Sequence, residues 1–233
     1  MANSNYNLTF VPGVTFAITR APLTITPDGS KTKTLGSVFS AFTGVVNGLQ
    51  FSDAVTVTYT SAGAPAAAGV GSYDITVASY SFTTGIASNY MITTNTAVKG
   101  LAVLYAAGGM CAGDVGHVIR QPINVDGSSV WKQNATVPAK FAVCDANGIS
   151  IGTPGVVSGF FLTQTINGTI STAVNELPDS TTPDTAFRWD PTGQQWIYNI
   201  NTKTAPVNKA GQTYVFTITL NDGSTIGFRF GLR

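Results

Sequence analysis

The chain has 233 residues, with 12 Lys and Arg against 11 Asp and Glu and a formal net charge of +1. Charged residues make up only 10% of the sequence, which excludes both a basic field for nucleic acid and a charge run that would bind a membrane surface. Hydrophobic residues, at 43%, are enough for a core, yet no apolar run reaches transmembrane length, so membrane insertion is not expected. The surface must then consist largely of Thr, Ser, Asn and Gly, as in many secreted β proteins.

Short β-branched and aromatic runs bounded by Gly, Pro, Asn and Asp follow one another along the chain, and helical patterns are almost absent. This spacing favours sandwiches, and the tight turns favour antiparallel pairing. We predict an all-β fold with two Ig-like β-sandwich domains in tandem and antiparallel sheets. The strands predicted in the first half are 8–10, 15–19, 23–26, 55–59, 73–79, 90–93 and 101–105. Those predicted in the second half are 119–123, 136–144, 159–163, 187–189, 196–200, 213–220 and 225–230.

A short sequence motif occurs twice in the first half of the chain. The sequence Asn-Tyr-Asn-Leu-Thr at residues 5–9 recurs as Asn-Tyr-Met-Ile-Thr at residues 89–93. The interval between the two copies is the length of one small β domain, which indicates a repeat. We predict that residues 1–20 are the tail strands of a preceding repeat, packed on the first domain. Residues 21–105 are then one complete repeat, whose partners are neighbouring repeats of the same parent chain.

The proposed repeat contains several ordered motifs. They are Ala-Pro-Leu-Thr-Ile-Thr at 21–26 with Lys-Thr-Lys-Thr-Leu-Gly at 31–36, Gly-Val-Val-Asn-Gly at 44–48, Gly-Val-Gly-Ser-Tyr-Asp-Ile-Thr at 69–76, and Asn-Tyr at 89–90. On these motifs, residues 21–105 resemble the bacterial MBG repeat. The resemblance implies a tandem β module of a large bacterial surface protein, with no catalytic residues.

The second half carries Pro-Ala-Lys-Phe at 138–141, together with Ile-Arg-Gln-Pro-Ile at 119–123, Phe-Arg-Trp-Asp at 187–190, Gln-Trp-Ile-Tyr-Asn at 195–199 and Gly-Gln-Thr-Tyr at 211–214. On these motifs, residues 113–233 resemble the PxKF domain, which tends to close secreted bacterial proteins. The resemblance implies a β-sandwich module but supplies no biochemical activity. Between the two domains, residues 106–112 are rich in Ala and Gly, so we predict a short flexible linker.

Lys140 lies in a strand that is otherwise uncharged. The alternation over residues 136–144 puts Val137, Phe141 and Val143 on one face and Lys140 on the other. An ammonium is too costly to bury alone, so Lys140 either faces solvent, which we favour, or is paired or cross-linked. In the cross-linked alternative, suggested by Lys–Asn bonds in some extracellular Ig-like modules, the residues that would supply the amide are Asn199 or Asn201, and those that would supply the acid are Glu176 or Asp190.

Cys111 and Cys144 are the two cysteines of the chain. Such a pair is compatible with one disulfide or with two buried thiols. Of the two we favour the disulfide, because it would fix the linker to the strand that ends at Cys144. Closing this loop would stabilise the fold by about 3–4 kcal/mol in the chain-entropy description.

Aromatic residues of the second half have two interpretations. Trp189, Trp196 and Tyr198 could stack on the rings of a surface glycan, or they could pack in a sandwich core, which we favour. Catalysis is not predicted, because the chain has one histidine, His117, and no nucleophile elbow. No cofactor or metal site is predicted either. The aspartates that would attract calcium sit in turns where Asp has a local hydrogen-bonding role, namely Asp126, Asp145, Asp190 and Asp222.

The sequence therefore favours a non-enzymatic stalk and C-terminal module of a secreted or cell-surface bacterial protein, as part of an adhesin. The alternative is a carbohydrate- or surface-binding module that uses exposed aromatics of the C-terminal domain. The identity of any ligand and the strand order are not encoded in these patterns.

Overall fold

The computed structural model describes residue 13, residues 19–182 and residues 186–233. Over these ranges the chain forms β-strands and turns with a single short 3-10 turn at Ala87–Asn89. The predicted all-β, Ig-like β-sandwich class is confirmed. Over the same ranges, no helix is long and apolar enough to cross a membrane. The predicted tail strands within 1–20 lie outside the described residues, apart from Gly13, Thr19 and Arg20.

The first domain contains seven strands in a three-stranded and a four-stranded sheet. The strands are β1 (Ala21–Pro27), β2 (Lys31–Thr34), β3 (Gly44–Asn47), β4 (Ala54–Thr60), β5 (Gly71–Thr84), β6 (Tyr90–Thr94) and β7 (Ala97–Leu104). Their orders are β3-β1-β6 and β2-β7-β5-β4. Inward-facing residues of these strands form the core, among them Leu23, Ile25, Ile75, Leu101 and Val103.

Two strand pairs of the first domain are parallel, which the prediction of antiparallel sheets did not include. β1 runs parallel to β6, from Ala21 opposite Tyr90 to Ile25 opposite Thr94. β2 runs parallel to β7, with Lys31 opposite Leu101. A tight turn enforces antiparallel pairing only between strands that it joins directly. Long connections separate both of these pairs, so turn chemistry in the sequence does not fix their direction.

Lys33 is a buried cation of the first domain, with 7% of its surface exposed. Its ammonium donates to the carbonyl oxygens of Ser37 (2.8 Å) and Ala64 (3.3 Å), and also to that of Pro65. All three N–H donors of the group therefore have acceptors, which offsets the cost of removing it from water. Burial lowers the pKa of Lys33. Lys33 thus ties the loop around Pro65 to the end of β2.

The second domain is a sandwich of a four-stranded and a five-stranded sheet, with orders β10-β12-β16-β15 and β11-β18-β17-β13-β14. A two-stranded hairpin, β8-β9, precedes it. The strands are β8 (Met110–Cys111), β9 (Asp114–Val115), β10 (Ile119–Arg120), β11 (Val130–Trp131), β12 (Thr136–Phe141), β13 (Val157–Asn167), β14 (Ile170–Glu176), β15 (Arg188–Asp190), β16 (Gln195–Asn201), β17 (Thr213–Leu220) and β18 (Thr225–Leu232).

Strands in which buried and less buried side chains alternate form the core of the second domain. In β17 every second residue is buried, namely Tyr214, Phe216, Ile218 and Leu220, as expected for a strand with one face toward a facing sheet. Phe216 stacks on Phe228 of β18 with ring centroids 5.0 Å apart. Each such large side chain contributes about 1.5–3 kcal/mol by leaving water. The aromatic interior is therefore the main source of stability in this domain.

Candidate functional site

The joint between the two domains is the best-defined composite site among the described residues. The chain leaves β7 at Leu104, and the next residue, Tyr105, enters the core of the second domain, where it is only 4% exposed. The Tyr105 main-chain N–H donates to Asp222 Oδ2 at 3.0 Å, and its hydroxyl donates to Asn221 Oδ1 at 2.8 Å. Burial, with a contribution from Asp222, raises the pKa of Tyr105 to about 12. The hydroxyl therefore stays protonated and keeps its donor role.

A second contact crosses the joint between two turns. The Ala146 N–H donates to the Leu35 carbonyl at 2.8 Å, and the Leu35 N–H donates to the Leu104 carbonyl at 2.7 Å. Gly36 has φ +82°, and a Cβ placed there would lie 3.0 Å from the Asp145 carboxylate. A side chain would be strained at this φ and would crowd that carboxylate. The side chains of Leu35 and Val70 also pack against the core of the second domain.

Asp145 and Asp222 shape the turns that receive the first domain. Asp145 Oδ1 accepts the N–H groups of Asn147 (2.9 Å) and Ile149 (3.0 Å). Asp222 Oδ1 accepts the N–H of Ser224 at 2.9 Å while its other oxygen holds Tyr105. Both carboxylates order their own turns, as Asp does in Asx-turns. The first turn presents the Ala146 N–H to Leu35, and the second presents the Asp222 carboxylate to Tyr105.

The predicted disulfide is confirmed. Cys111 and Cys144 are bonded, with their Cα atoms 5.6 Å apart. The Cys144 carbonyl also accepts the Ala106 N–H at 2.9 Å. The segment from Ala106 to Cys111 is therefore attached at both ends to the same residue of the second domain.

Residues 106–112 differ from the flexible linker that their composition suggested. Met110 and Cys111 form β8, which pairs with β9, and the Gly116 N–H donates to the Gly109 carbonyl at 3.0 Å. A small-residue composition indicates flexibility only when no other group fixes the backbone. Here a disulfide, a hairpin and a hydrogen bond fix it.

His117 lies in the bend between β9 and β10. Its backbone has φ +63°, and its N–H donates to the Ala142 carbonyl at 2.8 Å. The ring Nδ1 is buried without a hydrogen-bond partner. Burial lowers the pKa of His117, while nearby Asp222 opposes that shift. The neutral ring therefore suits this position.

Lys140 lies on the outer face of the four-stranded sheet and is partly exposed. The register places Arg120 beside it on β10 and Ile197 beside it on β16. Hydrogen bonds from Gly193 and Gln195 lower the pKa of Asp190, and the charge of Lys140 makes a smaller contribution in the same direction. The position fits the interpretation that Lys140 faces solvent beside a carboxylate.

The residues considered for a cross-link lie at different distances along the sheet from Lys140. Asn199 and Asn201 are opposite Pro138 and Thr136, two and four positions along the strand from Lys140. Asn201 donates to Asp179 Oδ2 at 3.0 Å. Glu176 is exposed and belongs to the other sheet, so it does not supply a buried acid beside Lys140. The cross-link, with Asn199 or Asn201 as the amide and Asp190 as the acid, stays the alternative to a solvent-facing Lys140. Its signature would be the loss of one ammonia from the intact mass.

The aromatic residues suggested for ligand stacking lie mostly in the core. Trp196 and Tyr198 are each 5% exposed, which favours core packing over stacking on a sugar for both. The Trp196 indole N–H donates to the Ile151 carbonyl at 2.9 Å. Trp189 is partly exposed, with its ring centroid 5.5 Å from that of Trp196. Gly152 lies so close to the Trp189 ring that a Cβ there would clash with it.

Within the ranges that the structure describes, no group of three or more His, Cys, Asp or Glu side chains could hold a metal ion. The turn carboxylates of Asp126 and Asp190 accept local hydrogen bonds. What the joint can do is mechanical: it couples two sandwiches through a buried ring, two turns and a covalent bond.

Comparison with known families bears on the first domain. Residues 23–98 match the MBG domain (YGX type). This match supports the first of the two resemblances, and it covers the strands from β1 to the start of β7. The PxKF resemblance of the second domain stays a prediction. Among curated proteins, none matches the chain.

Similar solved structures include tandem Ig domains, at low identity. A chimeric titin Z1Z2-Z1Z2 tandem carrying a GRGDS peptide from fibronectin is 14% identical, with TM-score 0.26, covering 93% of this chain and 97% of that one. Titin domains Z1Z2 in complex with telethonin are 13% identical, with TM-score 0.26 and coverage of 93% and 98%.

Sequence reasoning did not single out the residues that form the joint. Tyr105 ends a predicted strand and immediately precedes the small-residue run, and Asp222 lies in an evident turn. A large aromatic residue directly before a linker is a signal for domain docking. Its partner turn lies more than a hundred residues away, beyond the reach of local patterns.

Proposed function

We propose that the chain is a non-enzymatic stalk and C-terminal module of a secreted or cell-surface bacterial protein of the adhesin type. Its role is to hold neighbouring parts of the parent chain at a fixed distance and angle from the cell. The MBG match of residues 23–98 supports a repeat module.

The observation that carries this proposal is the burial of Tyr105, the residue after the last strand of the first domain, in the core of the second. Domains on a free linker move independently by default, whereas a shared apolar contact suppresses that motion. The Leu35–Ala146 hydrogen bond adds a second attachment on another part of the joint. Two separated attachments resist bending as well as extension. A spacer needs this stiffness, and a catalyst has no evident use for it.

Small-angle X-ray scattering with NMR residual dipolar couplings tests the proposal. A spacer should give one orientation of the two domains, described by a single alignment tensor. The matched comparison is Tyr105→Ala against Tyr80→Ala, since Tyr80 is an exposed tyrosine of β5 away from the joint. Separate alignment tensors for the two domains of the unmodified chain would refute the stiff-spacer role. Turnover in a broad hydrolase screen would refute the non-enzymatic part.

A further inference from the structure

An incomplete sheet edge in the second domain provides a binding surface that the spacer role does not use. β13 pairs with β17 along almost its whole length, from Val157 to Ile166, with register shifts at Ser158 and Thr163. On its other side it pairs with β14 only from Leu162 to Asn167. Among the described residues, no strand covers that side of Val157–Phe161. The main-chain N–H and C=O groups that point outward there form an open edge.

The chain leaves this edge by crossing to the facing sheet. β14 ends at Glu176, opposite Leu162. Four residues later, Ser180 bridges to Ile200 of β16, and the Thr181 N–H donates to the Asn199 carbonyl at 3.1 Å. The crossing segment Leu177–Thr182 therefore stands apart from the first half of β13. Between them is a cleft of about 580 Å³.

Aromatic side chains of the sandwich interior line the inner wall of the cleft. Phe160 meets Phe187 and Tyr198 edge to face, with ring centroids 5.0 Å apart in each pair. The Tyr198 hydroxyl donates to the Pro178 carbonyl at 2.6 Å, which satisfies this polar group. Leu177, on the rim, is 70% exposed. The cleft therefore combines an apolar interior with an open main-chain edge.

We propose that this cleft binds an extended peptide segment of a partner chain, added as a strand to β13 at Val157–Phe161 in line with β14. Only a main chain presents alternating donors and acceptors at the spacing of an open strand edge. One apolar side chain of the segment enters the cleft against Phe160 and Phe187. The site uses the edge of β13 that faces away from β17, whereas the spacer role uses the turn after β17 that holds Tyr105.

Charge and ring exposure define the chemistry of the partner. Asp179 is the charged residue among the described lining residues, and its carboxylate already accepts from Asn201 Nδ2 (3.0 Å) and Thr204 Oγ1 (2.7 Å). The segment therefore requires no charge of its own. Phe160, Phe187 and Tyr198 are each less than 9% exposed and contact one another, so no ring offers a flat platform for a sugar. These features favour an uncharged, alternating β-forming peptide over a glycan.

NMR titration of the full, disulfide-bonded chain tests this binding. The probe is an acetylated and amidated heptapeptide of alternating threonine and valine with phenylalanine at the centre. Its control has the same side chains but N-methyl groups on alternate residues, which remove the donors that face β13. The parent peptide should shift the amides of residues 157–161 and 177–182, and N-methylation should weaken binding by at least about tenfold. No shift at about 1 mM peptide, or equal binding of the two peptides, would overturn the proposal.

Two exposed apolar residues provide matched variants. Leu177 on the rim and Ile170 at the far end of β14 are 70% and 69% exposed, so neither replacement should affect the core. Leu177→Ala should weaken the parent peptide about five- to tenfold, and Ile170→Ala should leave its affinity unchanged. If both variants weaken peptide binding equally, the peptide does not bind at the cleft. Cellopentaose that shifts the same amides and displaces the peptide would assign the cleft to carbohydrate and overturn the proposal.

Discussion

The main-chain N–H of Tyr105 donates to the carboxylate of Asp222 at 3.0 Å, although the two residues are 117 positions apart in the sequence. This bond joins the end of the first domain to the turn between β17 and β18, which are the central and C-terminal strands of the second domain's larger sheet. The first domain therefore contributes a residue to the second core, and the stability of the second domain should depend on it.

Replacement of Tyr105 by Ala should lower the free energy of unfolding of the second domain by about 3 kcal/mol, because a buried ring is removed and a cavity remains. Tyr105→Phe keeps the ring and loses only the bond to Asn221, so a loss of about 1 kcal/mol is expected. Urea unfolding followed by tryptophan fluorescence measures both, since the three Trp residues lie in this domain. Equal midpoints for Tyr105→Ala and the unmodified chain would show that the ring is dispensable.

Removal of the disulfide by the double change Cys111→Ala and Cys144→Ala should cost about 3–4 kcal/mol, mainly by releasing the unfolded chain. Unfolding of the unmodified chain should become easier when a reductant is present, whereas the double variant should not respond to it. Alkylation under denaturing, non-reducing conditions gives an independent check. Two labelled thiols in that experiment would rule out the bond in the isolated protein.

Lys33→Met should destabilise the first domain by about 1–3 kcal/mol, because three carbonyl acceptors lose their donor in a buried place. The matched control is Lys31→Met on the same strand, where the ammonium donates to Thr43 at an exposed position. This control should change stability by less than about 0.5 kcal/mol. Differential scanning calorimetry of the two variants makes the comparison. A neutral Lys33→Met would mean that the loop around Pro65 does not need the ammonium.

Stability should fall as the pH decreases through about 6.5, because of His117. Its pKa is lowered in the folded state, so the unfolded chain binds the proton first. Stability is then complete above the unfolded value, decreases below it, and levels off below the folded pKa. The chain has one histidine, so His117→Asn should flatten this step, and Asn tolerates the positive φ. Urea midpoints between about pH 8 and about pH 5 test this, and a persistent step in the variant would contradict it.

A second decrease in stability is expected at lower pH, because the pKa values of some aspartates are lowered in the folded state. Hydrogen bonds from Ser128 lower the pKa of Asp126, and those from Thr204 and Asn201 lower the pKa of Asp179. Their contributions are present above the unfolded value of 3.8 and are lost as the pH falls below it. Acid titration of Asp179→Asn should show a smaller decrease than that of the unmodified chain. If the variant and the unmodified chain lose stability equally at acid pH, this carboxylate does not stabilise the fold.

Strands with one buried face were predictable from the sequence. β17 was predicted with its observed bounds, because four large side chains that become buried alternate with three Thr and one Val. β14 was missed, because this edge strand is exposed on both faces and its sequence Ile-Ser-Thr-Ala-Val-Asn-Glu carries little alternation. β2 was missed for another reason. Its inward residue is Lys33, which sequence rules place outside a core.

The disulfide was predictable and the joint was not. Two cysteines in a chain without metal-binding spacing leave few alternatives. The contacts of Tyr105 and Leu35 depend on how two complete sandwiches meet, and no local pattern encodes that. The core position of Trp196 and Tyr198 was the favoured prediction. The open edge of β13 could not be predicted, because it depends on how far β14 and β17 each pair with that strand.

The parallel pairing of β1 with β6 has a mechanical consequence for a chain held at both ends. Tension enters β1 at Ala21 and leaves the domain through β6 and β7 toward Leu104. Because the two strands are parallel, this pull loads them in shear rather than unzipping them from one end. The hydrogen bonds between them therefore bear the force simultaneously. Single-molecule pulling from the two termini should therefore rupture the first domain in one high-force event, with the rate set by its unfolding barrier.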